Sequence, residues 1–219
     1  MCTRPDIYYV VKMVSLYLEN PGIMRWKAVK SILRYLKGTK DYSLCYQGKK
    51  LCLVGYSDAN WVGDLDERKL TFGYIYIYIY IYIYIFLLNN GVISLRSKKH
   101  TYKALSIMET EFIACSAVAQ EVVWLRWFLK SLGIVKDVFG PTTIYSDSQA
   151  AIAYVKDLKY HRRTKHIDTK NTFIRDVIAQ NDVILKYLPT CEMVVDPFTK
   201  SISRDMFFVY VKSLGLRRL

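Results

Sequence analysis

Acidic residues stand at the ends or starts of predicted secondary-structure elements at four places in the sequence. Asp58 and Asp147 each come just after a short apolar run, in "LCLVGYSD" and "TTIYSD". If these runs are neighbouring parallel strands, both carboxylates project from the same edge of a sheet, where sites in such sheets form. Glu111 lies in the first turn of a long predicted helix, and Asp196 lies between the last predicted strand and the last helix.

Four carboxylates that meet at one point repel one another unless cations lie between them. Carboxylate oxygens are hard ligands that suit Mg²⁺. Two such ions about 4 Å apart can cut a phosphodiester, because one activates water and the other holds the leaving oxygen. The joint placement of the four residues therefore favours a two-metal phosphodiester site.

Each of these acids also has a structural interpretation. Asp directly after a strand is common turn chemistry, and Asp196 before Pro197 is a natural helix N-cap. Ser106 and Glu109 form a capping-box signature, so Glu109 has a structural role available. Glu111 points about 200° away from Glu109 around the helix and cannot share that role. The sequence thus favours Glu111 over Glu109 as the ligand.

The elements that would hold these residues begin strand-rich and then alternate. Helical spacing predicts two helices in residues 5–38, and "NNG" predicts a hairpin between two strands. The remaining predictions are strands at "LCLVGYSD", the Tyr-Ile run, "GVISLRS", "TTIYSD" and "VILKYLP", and helices at 106–133, "SQAAIAYVKD", "DTKNTFIRDVIAQ" and 197–211. This order predicts an α/β fold, a mixed five-stranded sheet with flanking helices, plus a short N-terminal helical segment.

The Tyr-Ile run, "GYIYIYIYIYIYIF" at residues 73–86, alternates with period 2. This period predicts a long strand with Ile on one face and Tyr on the other. Alternating TAT and ATA codons would encode it, so we interpret it as a repeat expansion at about 75–85, in a hairpin remote from Asp58. As a helix its apolar stretch would cover about 22 Å, short of a hydrocarbon core of about 30 Å, and we therefore expect no membrane span.

The chain of 219 residues is strongly basic, with 32 Lys and Arg against 19 Asp and Glu, and 52% of its residues are hydrophobic. A core of domain size is expected, and polyanions are the favoured partners. Two basic clusters flank the acidic motifs: Arg96, Lys98, Lys99 and Lys103, then Lys156, Lys159, Arg162, Arg163, Lys165 and Lys170. A solvated face explains either cluster alone, whereas both together favour a nucleic-acid groove.

The five cysteines are scattered and form no C-x-x-C pair, which is typical of reduced thiols inside a cell. The N-terminus "MCTRPDIYYVV" has no apolar segment followed by a small-residue cleavage site. We expect an intracellular protein, cytoplasmic or nuclear.

Five long motifs of the sequence resemble those of a known protein family. "GYSDANWVGDLDERKLTFGY", "ISLRSKKHTYKALSIMETEFIACSAVAQEVVWLR", "IYSDSQAAIAYVKD", "HRRTKHID" and "VVDPFTK" resemble the ribonuclease H region of copia-type LTR retrotransposon Pol polyproteins. The opening "RPDIYYVVKMVSLYLENPGIMRWKAVKSILRYLKGTKDYSLCY" resembles the tail of the reverse transcriptase that precedes it. The resemblance implies a transcriptase tail at 1–45 and a ribonuclease H-like domain at 46–219.

The resemblance further implies Mg²⁺-dependent hydrolysis of the RNA strand of an RNA–DNA hybrid, with two metal ions and Mn²⁺ as a substitute. No small-molecule cofactor is implied. The implied catalytic and metal-binding acids are Asp58, Glu111, Asp147 and Asp196. The residues implied to contact the hybrid's phosphates are Arg96, Lys98, Lys99, Arg162, Arg163, Lys165 and His166.

Two alternatives remain open on the sequence alone. The chain could be a non-catalytic, nucleic-acid-binding remnant of a degraded element, or a membrane-associated protein through the Tyr-Ile run. The presence of all four acids favours the enzyme over both. The sequence does not determine the oligomeric state.

Overall fold

The structure is a computed structural model, and for a few residues within helices and strands it describes only the backbone. It describes residues 3–15, 18–19, 22–48, 52–62, 79–99, 107–133, 140–156, 165–195 and 203–219. The described helices are α1 (Tyr8–Ser15), α2 (Ile23–Gly38), α3 (Ile107–Ser131), α4 (Gln149–Lys156), α5 (Lys165–Ala179) and α6 (Arg204–Ser213). The described strands are β1 (Tyr42–Leu44), β2 (Leu53–Val62), β3 (Ile79–Leu88), β4 (Gly91–Lys99), β5 (Thr142–Ser146), β6 (Val183–Tyr187) and β7 (Leu216–Arg218).

The main sheet has the described strand order β4-β3-β2-β5-β6. β2, β3 and β4 are antiparallel neighbours, whereas β5 runs parallel to both β2 and β6. This arrangement confirms the predicted α/β fold, a ribonuclease H-like mixed five-stranded sheet with flanking helices. It also confirms that the apolar runs before Asp58 and Asp147 are parallel neighbours.

The core lies on both faces of this sheet, because side chains alternate along β3. Tyr84 and Phe86 face α3, α4 and α5, where they join a cluster that includes Phe112, Val118, Val122, Ile144, Ile152 and Ile174. Ile83 and Ile85 face the opposite way and pack with residues such as Val195, Tyr210 and Leu214, with α1 against the same cluster. The predicted separation of Ile and Tyr onto opposite faces is therefore confirmed for the described part of the run.

The hairpin between β3 and β4 has the predicted turn. Asn89 and Asn90 both adopt positive φ angles, 47° and 63°. Two left-handed residues in a two-residue loop match the twist of the strands on either side, and Asn tolerates this conformation.

The strand that carries Asp58 is longer than predicted. Asp58 lies inside β2 rather than after its end, because β3 continues to pair with β2 as far as Val62. The parallel pairing with β5 does end next to Asp58, at Ser57 opposite Ser146. Asp58 and Asp147 thus both follow the last pair of the parallel ladder.

The prediction that the Tyr-Ile run is remote from Asp58 is wrong. Ile83 pairs directly with Asp58. The turn at Asn89 and Asn90 is indeed far from Asp58, but the run precedes that turn and enters β3 from the Asp58 end of the sheet. Residues 73–78 of the run lie outside the described residues.

The last helix also differs from the prediction, which began it at Pro197. Ser203 has an extended backbone, and its side chain accepts a hydrogen bond from the Met206 N–H, so the helix begins at Arg204. Serine in this position is a strong N-cap. Pro197 and the predicted capping residue Ser106 lie outside the described residues.

The N-terminal segment and the C-terminus are joined by a small sheet that the sequence did not reveal. β1 pairs antiparallel with β7, and Arg218 forms an ion pair with Asp41 beside it. The helix α1 also contacts the main sheet, since Lys12 Nζ donates to the carbonyl of Ser97 on β4 at 2.9 Å. The division at residue 45 stays a prediction.

Among the described residues, Met108–Ser131 is long and apolar enough to cross a membrane by length and composition alone. Its most apolar window is 56% buried, and it packs against the sheet as α3. A core helix of a soluble protein has the same properties, so this match is weak support for a span.

Candidate metal and active site

Three of the four predicted acids converge. Carboxylate oxygens of Asp58, Glu111 and Asp147 all lie within 4.8 Å of one another. Glu111 is buried, and the two aspartates are partly exposed, so the group opens to solvent on one side. Oxygens at this spacing can share one divalent cation.

Glu111 is held at this point by α3, which crosses the face of the sheet. Two turns of apolar side chains that follow it, Cys115, Val118 and Val122, are fully buried against the strands. That packing fixes the helix and brings its first turn over the end of the parallel ladder. Glu109, on the other side of the helix, does not join the acidic group within the described residues.

The environment of Glu111 opposes its charge. Burial is the main cause that raises its pKa, to about 9, and the neighbouring charges of Asp58 and Asp147 raise it further. A hydrogen bond from the Ala59 backbone N–H acts in the opposite direction. Within the described part of the chain, the Oε2 atom of Glu111 is buried without a hydrogen-bond partner.

Asp147 has a partner that the sequence analysis missed. The hydroxyl of Thr190 donates to Asp147 Oδ2 at 2.9 Å. Thr190 begins a short 3₁₀ turn, Thr190–Glu192, soon after β6. β6 is the parallel neighbour of β5, with Tyr187 opposite Ser146, so the residues that follow the two strands lie close together. This pairing is the feature that could have indicated Thr190 as a partner of Asp147.

A buried polar layer lies beneath the acids. Ser57 and Ser146, the last pair of the parallel ladder, are both fully buried, and Cys115 packs against them. Burial raises the pKa of the Cys115 thiol to about 12, so it is a neutral core thiol. The layer beneath the acids is therefore uncharged.

A divalent cation fits this arrangement. A buried carboxylate oxygen without a partner is costly, and bringing three carboxylates together adds repulsion. A cation between them would supply the missing partner and remove the repulsion at once. The all-oxygen donor set is the kind that Mg²⁺ and Mn²⁺ prefer.

The other predicted site residues are placed less fully. Asp196 and the basic residues Arg162 and Arg163 lie outside the described residues. Lys165 and His166 begin α5, which is described there by its backbone alone.

Arg96, Lys98 and Lys99 lie on β4, two strands away from the segment of β2 that carries Asp58. Through Tyr84, Arg96 is in register with Ser57, so about 10 Å separate their backbones at about 4.8 Å per strand. Arg96 is exposed.

The chain is similar to curated polyproteins over nearly its whole length. It is 39% identical over 216 residues to the retrovirus-related Pol polyprotein from transposon TNT 1-94 of Nicotiana tabacum, covering 99% of the chain and 15% of that protein. It is 33% identical over 215 residues to the Pol polyprotein from transposon RE2 of Arabidopsis thaliana, covering 98% and 14%. The chain thus spans about one seventh of the length of these relatives.

A shorter relative is similar to part of the chain. The secreted RxLR effector protein 161 of Plasmopara viticola is 42% identical over 124 residues, which is 56% of the chain and 80% of that protein. No protein-family model matches the chain.

Solved structures match at low scores. The N-terminal RNase H domain of a Mycobacterium tuberculosis protein, solved as a fusion with maltose binding protein, has a TM-score of 0.44 and 11% identity, covering 75% of this chain and 99% of that one. A foamy viral protease-reverse transcriptase in complex with RNA/DNA hybrid has a TM-score of 0.44 and 13% identity, covering 91% and 28%. The fold assignment rests on the strand order.

Proposed function

Because the chain belongs to the copia-type retrotransposon Pol polyproteins, we propose that it is a ribonuclease H that hydrolyses the RNA strand of RNA–DNA hybrids. The observation that carries this proposal is the convergence of Asp58, Glu111 and Asp147 at the end of the parallel ladder between β2 and β5. Three separate segments of the chain supply these acids, and we propose all three as catalytic residues from their places in "YSDA", "ETEF" and "YSDS".

The proposed chemistry is two-metal hydrolysis of a phosphodiester. Asp58, Glu111 and Asp147 would hold Mg²⁺, with Mn²⁺ as a substitute, and Asp196 is the proposed fourth ligand from the motif "VVDPFTK". The bound ions would activate water and stabilise the leaving oxygen. The chain's own contribution is to fix the carboxylates, Glu111 from α3 and Asp147 through the hydroxyl of Thr190.

The basic residues of β4 support a nucleic-acid substrate. β4 is separated by β3 from the strand that carries Asp58. It carries three basic residues, Arg96, Lys98 and Lys99. Cations on this strand would contact the phosphates of a duplex bound at the acidic group. Such contacts position a duplex without reading its sequence. We therefore propose that Arg162, Arg163, Lys165 and His166 serve the same purpose from the segment before and within α5.

A cleavage assay tests the proposal. A labelled RNA–DNA hybrid is incubated with Mg²⁺ and either the wild-type protein or the Asp147→Asn variant, and the products are separated by length. We expect RNA-strand cleavage by the wild type and a loss of about 100-fold or more in the variant, because a metal ligand contributes several kcal/mol to the transition state.

Asp176→Asn is the matched control, since Asp176 is an exposed acid on α5. It should cleave at the wild-type rate. Equal cleavage by wild type and Asp147→Asn, or no cleavage by either, would contradict the catalytic proposal. Hybrid binding without cleavage would instead indicate a nucleic-acid-binding remnant.

A further inference from the structure

The helix α2 carries an unusual charge distribution. Within the 16 residues from Ile23 to Gly38 there is no Asp or Glu, and none of these residues is buried. Its basic residues are Arg25, Lys27, Lys30, Arg34 and Lys37. A solvated helix normally mixes both signs of charge at i,i+4 spacing. α2 carries positive charge only, which an ordinary solvated face does not explain.

Four of these basic residues form a stripe. At 100° per residue, Lys27, Lys30, Arg34 and Lys37 fall within an arc of about 80°, and their Cα atoms extend over about 15 Å along the helix. All four side chains are exposed. Successive members are three or four residues apart, so their like charges repel one another within the free protein. A polyanion would relieve this repulsion.

The stripe includes an aromatic side chain. Trp26 is 57% exposed, and the Lys30 ammonium lies 5.6 Å from its ring centroid. The other exposed apolar residues of α2 are Ile23, Met24 and Leu33. They spread over about half of the helix circumference and interleave with the cations. A helix that lies on a membrane needs one continuous apolar face, so this distribution favours a nucleic-acid backbone over a lipid surface.

The side of α2 away from the stripe fixes its orientation. The hydroxyl of Tyr35 donates to Asp6 Oδ2 at 2.6 Å, and the Tyr35 ring packs edge-on against Phe207 of α6 with centroids 5.6 Å apart. Arg4 pairs with the same Asp6 and also donates to the Thr39 hydroxyl at the end of the helix. The basic stripe is therefore presented outward from an anchored helix.

We propose that this stripe binds the sugar-phosphate backbone of an RNA–DNA hybrid duplex, as a contact distinct from the acidic site and from the basic residues of β4. It would hold the duplex without sequence preference, because Lys and Arg contact phosphates rather than base edges. The charge of α2 calls for a polyanion, and the choice of an RNA–DNA hybrid rests on the proposed function. The inference does not require the chain to cleave the hybrid.

The test compares two triple variants with the same loss of charge. The first carries Lys27→Gln, Lys30→Gln and Lys37→Gln. The control carries Lys130→Gln, Lys186→Gln and Lys212→Gln, three exposed lysines on α3, β6 and α6. Affinity for a fluorescent RNA–DNA hybrid is measured by anisotropy in EDTA at several salt concentrations, and circular dichroism confirms that both variants are folded.

We expect the α2 variant to bind at least about tenfold more weakly and to reduce the slope of log K against log salt by about 2–3. Each lost phosphate contact removes about 0.9 from that slope. The control should keep the wild-type slope. Equal slopes in the two variants would overturn the proposal.

Two further measurements separate this inference from its neighbours. Cleavage measured in parallel with Mg²⁺ separates the inference from the proposed function, because weaker hybrid binding by the α2 variant supports the stripe whether or not the wild type cleaves. Sedimentation with vesicles of anionic phospholipid tests the membrane surface. If the α2 variant loses vesicle binding but keeps hybrid binding, α2 recognises lipid and the proposal is wrong.

Discussion

Thr190 is the residue whose position most directly affects the acidic group from outside it. Its hydroxyl donates to Oδ2 of Asp147, which is one of the three acids of the group. Partners of this kind orient a metal ligand and are costly to lose. Only the hydroxyl of Thr190 makes this contact, so a substitution that removes the hydroxyl and keeps the side-chain size tests it.

We therefore predict that Thr190→Val raises the Mg²⁺ concentration for half-maximal cleavage by about tenfold. This is within the range found when a residue that hydrogen-bonds to a metal ligand is replaced. Thr190→Ser keeps the hydroxyl and should behave as the wild type. Mn²⁺ binding followed by electron paramagnetic resonance gives the same comparison without catalysis. Equal Mn²⁺ affinity in the Val variant and the wild type would mean that Thr190 does not position Asp147.

At the scale of elements, the sequence predicted the features that depend on local residue chemistry and on hydrophobic periodicity. The Asn89–Asn90 turn was predictable because few residues tolerate two successive left-handed conformations. The end of α3 was predictable because Gly133 adopts a φ of +66° just after it. These signals require no knowledge of distant contacts.

The features that were missed depend on partners far away in the chain. β2 extends past Asp58 only because β3 pairs with its last residues. β1 and β7 are three residues each, too short for a period to be read, and exist because they pair with each other. Thr190 was missed for the same reason, since its partner Asp147 is 43 residues earlier.

The contact between α1 and β4 has a consequence for the edge of the sheet. β4 is an edge strand in the described order. Tyr8 accepts a hydrogen bond from the Ser97 N–H at 3.1 Å, and Lys12 Nζ donates to the Ser97 carbonyl and hydroxyl. The helix thus occupies backbone groups that could otherwise pair with another strand. Protection matters here because the adjoining Tyr-Ile strand has the composition of an aggregating segment.

We predict that Tyr8→Phe combined with Lys12→Met increases concentration-dependent association severalfold, because Ser97 is left free to pair. Light scattering and thioflavin T fluorescence measure this. Lys40→Met with Tyr42→Phe makes the same change in composition away from β4 and should associate as the wild type does. If the first variant is less stable in urea but no more associated, α1 is a packing element rather than an edge cover.

At the scale of the whole molecule, the acidic group makes the free energy of unfolding depend on pH. The raised pKa of Glu111 means that the folded chain retains this proton at neutral pH, whereas the unfolded chain releases it near 4.5. This contribution to stability is fully present below pH 4.5 and is lost as pH rises towards about 9. The metal-free fold is therefore less stable once this proton is lost.

We predict that, in EDTA, the wild-type free energy of unfolding falls between pH 6 and pH 8 by about 1–3 kcal/mol more than that of Glu111→Gln, since one proton corresponds to at most about 1.4 kcal/mol per pH unit. Urea unfolding followed by circular dichroism measures both proteins. Mg²⁺ added at pH 8 should stabilise the wild type more than the Gln variant, because the ion binds the folded carboxylates and replaces the proton. Parallel pH profiles for the two proteins would show that Glu111 is ionised in the metal-free fold, and the pH-dependent loss of stability assigned to it would then be wrong.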